Sequence, residues 1–183
     1  MAVAPDSLVT QIGSTTGSLA SLSLLEQSGT IDNPAAYVTF QPSGSVYSGY
    51  QTFHFAGDVT PSRISTMLLQ VNFKASAAPA QNWSFSIYDW KTNLWINVGN
   101  TLGTTPGQWN TLTFSIKKFT RYISTGREVR IRFQSTNASD IAKLDYEALH
   151  ITYRPVAIAP SPVVPAVPGQ RPGIASIRIA SDP

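Results

Sequence analysis

Residues 67–74 read Met67-Leu68-Leu69-Gln70-Val71-Asn72-Phe73-Lys74, with an apolar side chain at Met67, Leu69, Val71 and Phe73. Successive side chains on a β-strand point to opposite faces, so this period of two marks a strand with one buried face and one wet face. Three further stretches repeat the pattern. Trp83, Phe85 and Ile87 alternate with Ser84, Ser86 and Tyr88; Leu112, Phe114 and Ile116 alternate with Thr111, Thr113 and Ser115; Val129, Ile131 and Phe133 alternate with Arg130, Arg132 and Gln134. Less regular strands are expected at 36–41, 50–56, 94–98 and 143–153.

Turn-forming residues separate these runs: Pro42-Ser43-Gly44, Gly57-Asp58, Thr105-Pro106-Gly107, Thr125-Gly126 and Asn137-Ala138-Ser139. The body contains no long stretch of helical period, only a turn or so around 118–123 that bridges two strands. About eight strands spaced by turns predict an all-β chain folded as an antiparallel two-sheet sandwich. Composition agrees. Of 183 residues, 42% are hydrophobic and only 13% charged, which suits a sheet surface of hydroxyls and amides rather than ions. No apolar run is long enough for a membrane-spanning helix. There is no cysteine, which excludes disulfides, thiolate zinc sites and cysteine nucleophiles.

Three regions are expected. Residues 1–34, rich in Ser, Thr and Gly, read as an irregular N-terminal arm followed by a first strand or short helix. Residues 35–154 form the sandwich. Residues 155–183 hold seven of the 13 prolines and read as an extended, polyproline-like C-terminal tail. Its last segment, with Ile174, Ile177 and Ile179, has strand character and would suit addition to the sheet edge of a neighbouring subunit.

Net charge is +3, unevenly spread: all 13 Lys and Arg lie after residue 62. The densest basic run is Lys117, Lys118, Arg121, Arg127, Arg130 and Arg132. A nucleic-acid patch is one reading of such a run. Without a nucleic-acid motif it is ranked below a solvated strand face or a surface that meets an acidic neighbour.

The succession Trp83-Ser-Phe-Ser-Ile-Tyr-Asp-Trp90, Trp95-Ile-Asn-Val-Gly99, Gln108-Trp109-Asn-Thr-Leu-Thr-Phe114, Val129-Arg-Ile-Arg-Phe133 and Leu144-Asp-Tyr146 resembles the galactose-binding-like jelly rolls, a group that includes many carbohydrate-binding modules. The resemblance covers roughly 60–154. It implies a jelly-roll sandwich, here with extended arms at both ends, and says less about ligand.

Catalytic chemistry finds little support. His54 and His150 lie on β stretches without metal-ligand spacing. Gly13-Ser14-Thr15-Thr16-Gly17 has Thr where a nucleophile elbow needs Ser. Asp145 and Glu147, two apart on a strand and so about 7 Å from each other, have no third acid placed beside them and read as wet-face carboxylates. Asp32, Asp140 and Asp145 offer oxygen ligands, but no dense Asp/Asn loop surrounds them, and neither a metal nor a cofactor is predicted. Not being an enzyme is the resulting expectation.

Aromatic side chains carry the binding hypothesis, because sugar C–H faces stack on Trp and Tyr rings. Trp83 has core parity. Tyr88 and Trp90 fall on the opposite parity or in the following turn, Trp95 shares parity with Asn97, and Trp109 opens its strand out of step with Leu112 and Phe114. Tyr88, Trp90, Trp95 and Trp109 are therefore the candidate glycan platform, with a hydrophobic lid over the sandwich end as the competing reading.

Two functions follow. The first is a non-catalytic assembly protein of a virus or phage particle (capsid decoration, neck or tail), whose arms interlock with copies of itself or other particle proteins. The Met1-Ala2-Val3-Ala4-Pro5-Asp6 start has no basic or apolar signal region, so this reading has synthesis in the cytosol and residence in the virion. The alternative is a secreted carbohydrate-binding module that takes glycans through the exposed Trp and Tyr side chains.

Overall fold

The structure is a computed structural model that describes residues 1–23, 36–76, 81–138 and 140–154. Eleven strands lie among them: β1 (Ala2–Val3), β2 (Ser7–Ile12), β3 (Ser14–Thr16), β4 (Val38–Gln41), β5 (Ser48–His54), β6 (Ile64–Ala75), β7 (Trp83–Asp89), β8 (Leu94–Asn100), β9 (Asn110–Ser115), β10 (Glu128–Ser135) and β11 (Ala142–Tyr153). They form two antiparallel sheets. One has the order β3-β4-β11-β6-β9, with β1 also paired to β11; the other runs β2-β5-β10-β7-β8. The expected all-β sandwich is the fold. The expected helical turn is a short 3-10 helix at Phe119–Tyr122.

The core lies between the sheets, where the alternating apolar positions meet. Met67, Leu69, Val71 and Phe73 from β6 face Trp83, Phe85 and Ile87 from β7 and Val129, Ile131 and Phe133 from β10, all at most 1% exposed. Phe133 is the hub. Its ring stacks on Trp83 at 4.6 Å and on Phe85 at 4.8 Å between centroids, and Phe40 meets it edge-on at 5.1 Å. Such offset and edge-to-face pairs add to the gain from area burial. Trp83 is thus structural, as its parity predicts.

The N-terminal stretch differs from expectation. Residues 2–16 are not an irregular arm but supply strands to both sheets. β2 pairs with β5 and β3 pairs with β4. The chain crosses from one sheet to the other at Gly13, whose φ of +93° favours glycine, and where a Cβ would press on Gln41 and come within 2.8 Å of Tyr47 Cδ2. These strands are short and rich in hydroxyl side chains, so the apolar alternation that reveals the inner strands is missing. A 3-10 helix at Leu19–Ser23 follows and seats Leu22 in the core. The C-terminal tail 155–183 lies outside the described residues.

Candidate functional site

The outer face of the β2-β5-β10-β7-β8 sheet carries a group of half-buried rings and cations. Register explains why. Arg130 and Arg132 on β10 alternate with core-facing Val129, Ile131 and Phe133, so both point away from the core. Across the ladder Arg132 is opposite Tyr50 on β5 and Ser86 on β7. Tyr88, two residues beyond Ser86, pairs with Trp95 on β8. Outward-facing positions of four neighbouring strands therefore converge.

The rings touch. Tyr88 meets Trp90 at 4.9 Å and Trp95 at 5.1 Å, each edge-on, and Tyr50 reaches Trp95 at 6.0 Å. Trp90 sits in the turn after β7, anchored by its indole N–H donating to the Glu128 carbonyl at 3.2 Å. The Tyr88 hydroxyl donates to Asn93 Oδ1 at 3.2 Å. Two guanidinium groups thread this cluster. Arg130 lies 4.9 Å from the Trp90 ring centre and 5.3 Å from that of Tyr50, and pairs with Glu128. Arg132 lies 5.0 Å from the Trp95 ring centre. These are cation–π distances.

Of the four aromatic candidates, the structure brings Tyr88, Trp90 and Trp95 together and separates Trp109. Trp109 precedes β9 in the other sheet, 6.3 Å from Tyr37 and 5.6 Å from Lys74 Nζ. Its odd parity placed it correctly outside the core, but parity does not say which sheet a strand joins. Tyr50 is the member that sequence reasoning missed, although its alternation with Phe53 places it on the outer face of β5.

The basic run likewise divides. Arg130 and Arg132 belong to the ring cluster. Arg121 pairs instead with Asp89, a carboxylate with no exposed surface. Burial opposes ionisation of Asp89, but hydrogen bonds from Arg121, the Thr92 hydroxyl and the Lys91 backbone N–H outweigh it and hold its carboxyl down at about 2. Lys117 lines a groove of about 210 Å³ with Ile96, Val98, Ile116 and Tyr122. Lys118 and Arg127 occupy left-handed backbone positions at φ 55° and 63° in the flanking turns. A single basic surface is therefore not formed.

The remaining polar candidates are dispersed. His54 is half exposed, with Nδ1 2.6 Å from Asp6 Oδ2 and Nε2 3.9 Å from Glu128 Oε2. His150 Nε2 is 2.8 Å from the Tyr146 hydroxyl. Asp145 and Glu147 are not on a wet face: both are fully buried. A bulge in β11 between Leu144 and Tyr146 interrupts the alternation there and turns Glu147 inward, opposite Val71. Burial pushes the Glu147 carboxyl up to about 8. Among the described residues, no three His, Asp or Glu side chains gather as a metal site, and no helix is long and apolar enough to cross a membrane. The assembly candidates Ile174, Ile177 and Ile179 lie outside the described residues.

Two antiparallel sheets closed over an aromatic core define a jelly-roll β-sandwich. The same fold occurs in the CBM22-1–GH10 modules of a Clostridium thermocellum endo-xylanase, which align at a TM-score of 0.54 and 12% identity over 86% of this chain and 28% of that one. Two weaker likenesses are a CBM36-1 domain of a multidomain xylanase from the hindgut metagenome of Trinervitermes trinervoides and a mutant family 29 carbohydrate-binding module. The first has a TM-score of 0.45 and 15% identity over 85% of this chain and 98% of that domain. The second has 0.43 and 12% over 64% and 71%. No curated protein matches the sequence. The family model of the N-terminal glycosyl-hydrolase-114-associated domain matches residues 22–146, and the chain belongs to that family.

Proposed function

We propose that this chain is a non-catalytic carbohydrate-binding module that holds glycans on the outer face of the β2-β5-β10-β7-β8 sheet. The observation that carries the reading is the contiguous Tyr50, Trp95, Tyr88 and Trp90 cluster, with ring centroids 4.9–6.0 Å apart. Apolar sugar faces pack on such rings, while exposed Asn97 and half-buried Ser84 on the same face offer hydrogen-bonding groups to hydroxyls.

Membership of a family described by its association with a glycosyl hydrolase supports the reading. So does the shared fold with the Clostridium thermocellum modules, which were complexed with xylohexaose. A module of this kind acts by keeping a neighbouring catalytic domain at its polymer, in a secreted protein. The comparisons back this function over particle assembly, whose proposed arm lies outside the described residues.

A glycan array probed with the full chain tests it. Binding to at least one glycan class, lost in Trp95→Ala and in Trp90→Ala without change in circular dichroism, is expected. Silence across the array, or binding untouched by both substitutions, contradicts it.

A further inference from the structure

The two arginines of the ring cluster are not equivalent. Arg130 has its charge matched by Glu128 on its own strand. Arg132 has no carboxylate within ion-pair distance among the described residues. Its neighbours across the ladder are Tyr50 and Ser86, and along β10 they are Arg130 and Gln134. Its Nε is buried without a hydrogen-bond partner there. Burial also pulls the guanidinium below its ordinary value, the sign of a cation poorly compensated by its surroundings.

The rings are engaged by these cations. A sugar laid on the platform at Trp95 would therefore meet the Arg132 guanidinium, 5.0 Å from the indole centre. The terminal Nη groups of that guanidinium, which are not among the buried unpartnered atoms, match a carboxylate or sulfate. A group of that charge would pair with those terminal donors and offset the uncompensated charge, while the buried Nε stays out of its reach.

We infer that the platform selects acidic glycans, with a uronate carboxylate or sugar sulfate seated on Arg132 beside Trp95 and Tyr50. The inference rests on the glycan-binding reading and narrows it to a ligand class. It also accounts for the division of labour on β10, where Arg130 is tied to Glu128 and braces Trp90, leaving Arg132 to meet the ligand.

The test titrates the full chain with polygalacturonate and alginate, and with the same polymers after reduction of their carboxyl groups to neutral hydroxymethyls. Acidic forms should bind at least about tenfold more tightly at low salt, the worth of one charge-assisted hydrogen bond. Most of that advantage should vanish in about 0.5 M NaCl, where the screening length shrinks to a few ångströms. Arg132→Gln should erase the preference, and Arg132→Lys should restore only part of it. If Arg132→Gln fails to fold, the comparison of acidic with reduced polymer on the unaltered chain decides alone.

Equal binding of both forms, or binding of neutral xylohexaose with neither acidic polymer held, overturns the inference and leaves the glycan reading standing. Absence of binding to every glycan, acidic or neutral, overturns both. Tighter binding of a single-stranded DNA oligonucleotide than of either acidic polymer at matched salt also overturns it, because the cation would then serve phosphates.

Discussion

Arg132 and Trp95 stack across the outer face of one sheet, with the guanidinium carbon 5.0 Å from the indole centre, although they lie on strands separated by β7. The aliphatic stem of the arginine covers apolar surface, and its charged head lacks a carboxylate among the described residues. A cation held this way contributes little net stability, since desolvation cancels much of the attraction to the ring. Arg132→Met, which keeps the stem and removes the charge, should therefore change the free energy of urea unfolding by no more than about 1 kcal/mol. A loss of several times that size would make the guanidinium a structural brace.

Phe133 has the opposite role. It joins Trp83, Phe85, Phe40, Phe73 and Tyr47 into one aromatic core. Phe133→Ala should cost about 3–5 kcal/mol, because the surrounding rings cannot all collapse into the space. Denaturant titration of the two proteins measures it, and a cost below about 1 kcal/mol would remove Phe133 from the centre of the core.

Gly99 lies directly against Phe114, and a Cβ placed there would overlap the ring, with Phe114 Cγ at 2.7 Å. The contact joins β8 of one sheet to β9 of the other. Gly99→Ala should destabilise by about 1–3 kcal/mol through overpacking. Combining it with Phe114→Leu should cost less than the sum of the two single changes, because the smaller side chain makes room. A double-mutant cycle reads that coupling, and strict additivity would show that the two residues do not touch.

Two buried acids set opposite limits on stability with pH. Asp89 titrates at about 2 in the folded chain, below its ordinary 3.8, so its contribution is complete above that ordinary value and disappears as pH falls through 2. Glu147 titrates at about 8, above its ordinary 4.5, so the folded chain holds an extra proton between those values. Its contribution is complete below 4.5 and declines as pH rises through 8. Unfolding midpoints in urea measured from pH 2 to pH 9 should fall on both sides of an optimum near about pH 4. Glu147→Gln should flatten the alkaline limb and Asp89→Asn the acid limb. An alkaline limb unchanged by Glu147→Gln would contradict the inward placement of that side chain.

How much of this was legible in the sequence varies with the kind of strand. β6, β7 and β10 announce themselves because one face of each fills the core and the other meets water. β2 and β3 did not, since these edge strands bury no side chain fully and the apolar residues of β2, Leu8, Val9 and Ile12, do not alternate. The same parity argument put Tyr88 and Trp95 on the outer face and Trp83 inside. It did not assign Trp109 to the other sheet, because period reveals a side chain's face while strand pairing is a long-range property. The inward turn of Glu147 was hidden for a related reason. A bulge shifts register by one residue, and no residue type in Leu144-Asp145-Tyr146 marks one.

The four tryptophans offer the most direct measurement of the central claim, that the outer face of the five-stranded sheet binds glycans. Their indole N–H groups give four separate signals in a nitrogen-15 NMR spectrum: one core residue (Trp83), two on the proposed platform (Trp90 and Trp95) and one on the opposite sheet (Trp109). Titration with a bound glycan should move the Trp90 and Trp95 signals in proportion to saturation and leave Trp83 and Trp109 in place. Movement of Trp109 alone, or of none of the four at saturating glycan, would contradict the account.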